Sequence, residues 1–281
     1  MTETKENENK KYLYGASVQG IQDFIFQTNK LREIAGASEL VEQICSKAFG
    51  EVLGKTNPDD PELVKKDTNW IVGAAGKIIY IFENRKDCEN KVKEFARKVM
   101  TMAPGITISQ AVVEMKGEYS DYGNASDELE KRLRTQRNKA TRPMTLGLMA
   151  IHRAPSTGLP AVKNDKEDGF IDEASDKKRK VEDLKKLTKK LTGVEYLSHK
   201  QIAHDFEEIT EKGENNWIAV IHADGNGLGK IVEAVCKNEN DAKMFSGLLD
   251  EITKQSAQEA YSKVEHLFNK SKVIPIRPVV I

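Results

Sequence analysis

The sequence predicts an α+β fold: two ferredoxin-like units joined by a helical region, the second unit incomplete. Three observations carry that reading. Residues 12–116 run strand, helix, hairpin, helix, strand, which is the βαββαβ order. Residues 216–281 repeat the opening of that order as strand, helix, strand. Residues 117–215, between them, are polar, highly charged and mostly helical in pattern. Residues 1–11 have no signal-peptide core and are expected to be a disordered tail.

In the first unit, Tyr12–Val18 is apolar and β-prone, and Gln19-Gly20 breaks it before the short segment Ile21–Phe26. A helix follows over about Lys30–Leu53, with Leu31, Ile34, Leu40, Val41, Ile44, Ala48 and Val52 at helical spacing and Gly54 as its stop. Gly36 interrupts this helix at a cost of about 1 kcal/mol against alanine, so it marks a kink or a close backbone approach. Residues 57–61 (N-P-D-D-P) read as a loop. Trp70–Val72 and Ile78–Phe82 are short β-prone runs around the turn Gly73–Lys77. Lys86-Asp87 opens a second helix, whose stripe Cys88, Val92, Phe95, Val99 and Met102 makes a buried thiol of Cys88. Pro104-Gly105 ends it, and Ile106–Met115 is the last strand of the unit.

In the linking region, Glu128–Arg142 carries six basic residues against two acidic ones, and Asp176–Lys190 eight against three. Both suit solvated helix faces, and both suit contact with phosphates. Gly158–Val162 is a turn-prone island. His199 and His204 are five apart rather than the four that place two ligands on one helical face, so they read as surface residues.

The second unit opens on Trp217–Lys230, W-I-A-V-I-H-A-D-G-N-G-L-G-K. Trp217–Ile221 predicts a buried strand ending on His222-Ala223-Asp224. Gly225, Gly227 and Gly229 then permit a tight turn, and Ile231–Val235 resumes as a helix. A carboxylate at a strand tip, beside backbone N–H groups that open a helix, suits a metal-bound triphosphate. The same residues also suit an Asp-Gly turn that only reverses the chain. Two familiar phosphate loops fail here: a P-loop needs four residues before its Gly-Lys pair, and the dinucleotide fingerprint G-x-G-x-x-G has a different spacing. Asp241–Phe268 is a long amphipathic helix through Phe245, Leu248, Leu249, Ile252, Ala260, Val264 and Leu267, and Val273–Ile281 is a strand. Half a unit cannot cover its own sheet, so partner segments or a longer polypeptide are expected to complete it.

The 281 residues suffice for a sizeable core and about two domains. With 44 basic against 44 acidic side chains there is no global polyelectrolyte character, and nucleic-acid contact must come from local patches. No apolar run reaches the roughly 18 residues of a membrane span, so a cytoplasmic protein without membrane contact is expected. Cys45, Cys88 and Cys236 lie far apart, which argues against a disulfide framework or a zinc knuckle.

Gly15–Gln43 (G-A-S-V-Q-G-I-Q-D-F-I-F-Q-T-N-K-L-R-E-I-A-G-A-S-E-L-V-E-Q) closely resembles the large, polymerase-like subunit of type III CRISPR effector complexes. His222–Lys230 and Ile276–Ile281 are similar to the same family, in which the latter strand leads into a Gly-Gly-Asp-Asp turn. The resemblance implies two palm domains related to nucleotide cyclases and conversion of ATP to cyclic oligoadenylates in antiviral defence. It implies Mg²⁺ or Mn²⁺ as cofactor, and as partners other subunits of the complex, with guide and target RNA reached through it. Asp224 then matches the first metal-binding carboxylate and so a catalytic position, Gly225 offers a backbone carbonyl to the metal, and Asn226, Gly227, Leu228 and Gly229 lie along the triphosphate. Lys230 touches the triphosphate or is a solvated lysine at a helix start, and His222 reads as a packed residue.

Departures from the family pattern matter. Asn226 stands where many relatives carry a second acid, and the Gly-Gly-Asp-Asp turn would lie beyond Ile281. One carboxylate cannot hold two cations, so the chain by itself is expected to be inactive. The first unit's turn, Gly73–Lys77, has no carboxylate and reads as non-catalytic. Only His152 lies near the segment where relatives bind zinc, so no zinc is expected, and there is no room for a histidine-aspartate nuclease domain before Tyr12. The alternatives are a non-catalytic scaffold or nucleotide-binding subunit of an RNA-guided complex, and a diguanylate-cyclase-like enzyme on the same fold.

Overall fold

The computed structural model describes residues 10–55, 67–74, 76–139, 150–166, 168–181, 184–194, 196–210, 217–267, 273–274 and 276–279. The expected tail over 1–9, the loop at 57–61 and part of the terminal strand (Pro275, Val280 and Ile281) lie outside them.

The first unit is the βαββαβ arrangement that the element order predicts. Its strands are β1 (Lys11–Gln19), β2 (Trp70–Ala74), β3 (Lys77–Phe82) and β4 (Thr107–Met115). They form one antiparallel sheet in the order β2-β3-β1-β4. β1 begins one residue earlier than expected, because Lys11 pairs with Met115. The alternation along β1 sets two faces: Tyr12, Tyr14, Ala16 and Val18 enter one core, and Leu13 enters the other.

The first core lies under the two crossover helices. The short segment Ile21–Phe26 contains α1 (Ile21–Ile25), and the helix that the sequence predicts over about Lys30–Leu53 is α2 (Leu31–Gln43), a π turn (Ile44–Ala48) and α3 (Phe49–Leu53). Gly54, at φ 69, ends it. α4 (Arg85–Met102) starts at Asn84, whose side chain accepts from the N–H groups of Lys86 (2.8 Å) and Asp87 (3.3 Å). Cys88, Phe95 and Val99 on its stripe are buried, with Val92 and Met102 packed against the same core. Phe49 sits at the centre, its ring 5.0–5.7 Å from those of Trp70, Phe95, Tyr14 and Tyr80.

The opposite face is covered by α5 (Tyr122–Arg137) through Tyr122, Ala125, Leu129 and Leu133. Gly15 lets this helix approach, since a Cβ there would lie 2.8 Å from Leu129 Cδ2. Both faces of the sheet are therefore dry, and β1 and β3 are apolar almost without interruption.

The linking region departs from its mostly helical expectation. After a turn at Gly158 (φ 70), β5 (Ala161–Asp165) and β6 (Gly169–Asp172) pair as an antiparallel hairpin. The polar run Lys163-Asn164-Asp165 carries no alternation that would announce a strand. α6 (Glu173–Arg179) then packs against α2, capped by Asp172. Gly36 marks a close approach and not a kink: a Cβ on it would lie 2.0 Å from the Lys178 carbonyl oxygen. α7 (Lys186–Thr192) and α8 (Phe206–Ile209) complete the region.

The second unit differs from expectation. Residues 217–226 contain neither a strand nor a helix, and Trp217 is 84% and Ile221 89% exposed, so the buried strand is not formed. Residues 276–279 likewise form no strand, and Ile274 makes only an isolated parallel bridge to Ile202. In the first unit β1 lies between β3 and β4, and β2 bonds to β3; Trp217–Ile221 pairs with no strand among the described residues.

The helices do form, as α9 (Leu228–Val235) and α10 (Glu239–Val264). α10 is anchored by Ala242, by the ion pair of Lys190 with Asp250 (2.9 Å) and by Gln258, which donates to the Lys190 carbonyl (3.0 Å). Its predicted apolar stripe is not its buried face: Leu248 and Ile252 are exposed, as are Ile231, Val232 and Val235 of α9. These side chains have no sheet to cover.

Gly36→Ala is expected to destabilise the first unit by about 2–4 kcal/mol, because backbone and not a movable side chain blocks the new methyl group. Urea unfolding of the variant beside the parent chain measures it.

Candidate functional site

The glycine-rich turn keeps its local geometry although the strand before it is absent. Gly227 takes the left-handed conformation (φ 70) as the N-cap of α9, and its carbonyl accepts from Lys230 N–H (3.1 Å) and Ile231 N–H (3.4 Å). At Gly225 a Cβ would lie 2.2 Å from Leu228 Cδ1, so the leucine side chain would have to move aside. Gly229 has open space around it, and no side chain caps the helix. The amide groups of Leu228 and Gly229 at the start of α9 are therefore left to solvent or a ligand.

Asp224 and Asn226 are exposed on this turn, as is Lys230, and Asp224 makes no hydrogen bond or ion pair among the described residues. His222 is exposed too, which corrects its expected packing: the sheet face that would bury it is not built. Among the described residues no group of three or more His, Cys, Asp or Glu side chains is placed to hold a metal ion. Asp224 with the Gly225 carbonyl does not by itself fit a two-cation centre.

The matching turn of the first unit is closed on itself. Gly76 (φ 74) accepts from Val18 N–H through its carbonyl (2.7 Å), and Trp70 Nε1 donates to the Val72 carbonyl (3.0 Å). A Cβ on Gly73 would lie 2.3 Å from that indole nitrogen. This leaves no room for a ligand against the backbone of Gly73.

The basic stretch Asp176–Lys190 is neither a solvated face nor free for phosphates over most of its described residues. Lys178 is fully buried, its Nζ donating to the Phe24 carbonyl (2.7 Å) and to Gln27 Oε1 (3.3 Å) and lying 4.3 Å from the centre of the Phe24 ring. Arg179 joins Glu33 (2.5 Å) and Asp168 (2.7 Å), Lys180 pairs with Asp176, and Lys190 bonds Asp250. On α5, Arg132 bonds Glu128 (2.7 Å) and the outward carbonyl of Val112 (2.6 Å) on the β4 edge. His204-Asp205 serves a helix start, Asp205 accepting from Glu208 N–H (2.8 Å), and His152 stacks on Phe170 at 4.2 Å.

The ionic seam of Glu33, Lys178 and Arg179 is what sequence reasoning missed. Its signal is the small run Ala35-Gly36-Ala37-Ser38 between Glu33 and Glu39, all of it buried. A helix buried on every side must supply internal partners for its carboxylates.

No family model matches the chain, and no curated protein matches it. It is similar to solved structures of a Csm1-Csm4 cassette: in complex with pppApA (18% identity, TM-score 0.37) and in complex with AMPPNP (19%, TM-score 0.35), each over 46% of this chain and 19% of that chain. It is also similar to the Csm1-Csm4 subcomplex in the type III-A CRISPR-Csm interference complex (18%, TM-score 0.33), over 46% of this chain and 18% of that one. These complexes are of the type III CRISPR kind that the sequence resembles. The chain spans about a fifth of the length of the chains it matches. A likeness of this size carries no argument about chemistry, which rests on the chain's own residues.

Burial pushes the Lys178 ammonium down to about 8 from 10.5, with Asp172 and Glu33 opposing the shift. Between those values the unfolded chain binds the extra proton, so Lys178 makes stability rise with pH. Burial pushes the Cys45 and Cys88 thiols up to about 12 from 9, so above pH 9 they make stability fall. Against Lys178→Met, the parent chain should gain about 1 kcal/mol between pH 8 and 9. An equal stability difference between parent and variant at the two pH values, from urea unfolding, would contradict this.

Proposed function

We propose that this chain is part of a palm-domain protein of type III CRISPR effector complexes, with its second unit as the catalytic-type palm and its first as a silent one. The observation that carries the proposal is the turn Asp224–Lys230. Gly227 there is demanded by its left-handed backbone, the start of a helix is uncapped, and an acid stands beside it without a partner among the described residues. The first unit's turn differs in having no carboxylate and in being closed by Trp70.

In this reading Asp224 and the Gly225 carbonyl are this chain's share of a Mg²⁺ or Mn²⁺ site, and the remaining carboxylates come from strands that pair beside Trp217–Ile221. Asn226 to Gly229 would line the triphosphate of ATP, with amide hydrogens meeting phosphate oxygens and the helix dipole favouring the negative charge. Lys230 would add a point charge at the same edge. The finer assignment is synthesis of cyclic oligoadenylates by the complete, assembled and RNA-activated protein. The exposed apolar faces of α9 and α10 support the need for completion, because an unpaired, uncovered half-sheet is not a stable end state.

A second reading, a non-catalytic nucleotide-binding or scaffold subunit, is favoured by one observation: among the described residues no second acid joins Asp224. One assay separates the two. In the complete polypeptide, within its RNA-activated complex and supplied with ATP and Mn²⁺, Asp224→Ala should lower oligoadenylate formation by about 100-fold, ~2.7 kcal/mol of barrier, with an unchanged melting temperature. Product formation at the parent rate would remove Asp224 from the site, and absence of product from the parent complex would favour the scaffold.

A further inference from the structure

A cavity of about 270 Å³ lies on the helical side of the first unit, where the π turn, the end of α4 and α6 meet. It shares no residue with the Asp224 turn. Its polar lining is Gln43, Lys47, Glu51, Lys98, Thr101 and Lys177. Lysines from three separate elements line it beside one carboxylate, and two of them pair with it. Lys98 lies 2.5 Å from Glu51 Oε2 and Lys47 lies 4.0 Å from Glu51 Oε1. Glu51 thus offsets one positive charge of three. By contrast Arg179 is matched by Glu33 and Asp168, and Lys190 by Glu42 and Asp250.

Two further features favour a ligand here. Lys47 is presented by the π turn Ile44–Ala48, a costly irregularity in an otherwise continuous helix, and such turns recur at functional sites. Thr101 Oγ1 donates its proton to the Arg97 carbonyl (3.0 Å), so what it presents to its surroundings is an acceptor, and the donors of the cavity are the lysines and the Gln43 amide. On α7, Lys190 is fixed by Glu42 and Asp250, whereas Lys177 enters this lining next in sequence to the buried Lys178.

From this geometry we propose that the cavity binds a phosphate group, carried by a small polyphosphate or by the backbone of single-stranded RNA. The volume accommodates one or two phosphate groups and no base need enter. Lys98 and Lys177 would act as point charges on the phosphate oxygens, and Glu51 would hold Lys98 in place at the cost of some affinity.

The test uses the whole chain, titrated at low salt with inorganic pyrophosphate and separately with a short single-stranded RNA. Lys98→Ala/Lys177→Ala should weaken binding by about 10-fold or more and flatten its salt dependence. Glu51→Gln should tighten it, and Lys254→Ala, on exposed α10, should leave it unchanged. Melting curves distinguish a folding defect from lost affinity, and the opposite sign expected for Glu51→Gln cannot arise from unfolding. Binding of pyrophosphate alone assigns the site to a free polyphosphate, and binding of RNA alone to a nucleic-acid backbone. Failure of both ligands to bind, or equal affinities in the parent and the double lysine variant, overturns the proposal. The lysine and Glu51 variants alter no residue of the Asp224 turn, so this result stands or falls apart from the catalytic-palm reading.

Discussion

Backbone pairing is the constraint on which everything else in this chain depends. A β-strand is a row of N–H and C=O groups that must find partners, and the partners are set by topology and not by proximity in sequence. The first unit closes its account: β1 is bonded on both sides, by β3 and by β4, and helices cover both faces. The second unit starts with residues at least as β-prone, yet Trp217–Ile221 stands in solvent. Local preference is similar in both, and what differs is that no strand lies alongside Trp217–Ile221 among the described residues.

That contrast bears on how the molecule divides its labour. The first unit is rigid around Phe49 and ties its own turn shut with Trp70. The linking region is fastened to it along α2, where Gly36 admits the Lys178 carbonyl and the Glu33–Arg179–Asp168 seam neutralises what the contact buries. Burying these charges is costly, and replacing one member leaves another unpaired, so the seam fixes orientation more than it adds stability. The Asp224 turn is exposed, with Gly227 in the conformation that its helix start needs.

Chemistry and stability therefore fall on different residues. Lysines and arginines between 176 and 190, which by composition alone suit nucleic acid, are largely spent on packing and ion pairs. A further group of cations lies around the π turn, where Lys47 and Lys98 stand outside any basic run and only Lys177 belongs to one. Charge runs report how many cations a helix carries, and only the neighbours in space decide how many remain to meet a ligand.

By itself the sequence determined the βαββαβ order of residues 12–116, the buried stripe of Cys88, Phe95 and Val99, the stop at Gly54 and the glycine turn after Asp224. Each is a property of one segment, through periodicity, propensity or the freedom of glycine at positive φ. Only the tertiary structure decided that Gly36 receives a neighbouring carbonyl, that Lys178 is buried, that Lys163 lies in a hairpin and that Trp217–Ile221 forms no strand. Those outcomes depend on which distant residues come alongside, and pairing across space leaves no local trace in the order of amino acids.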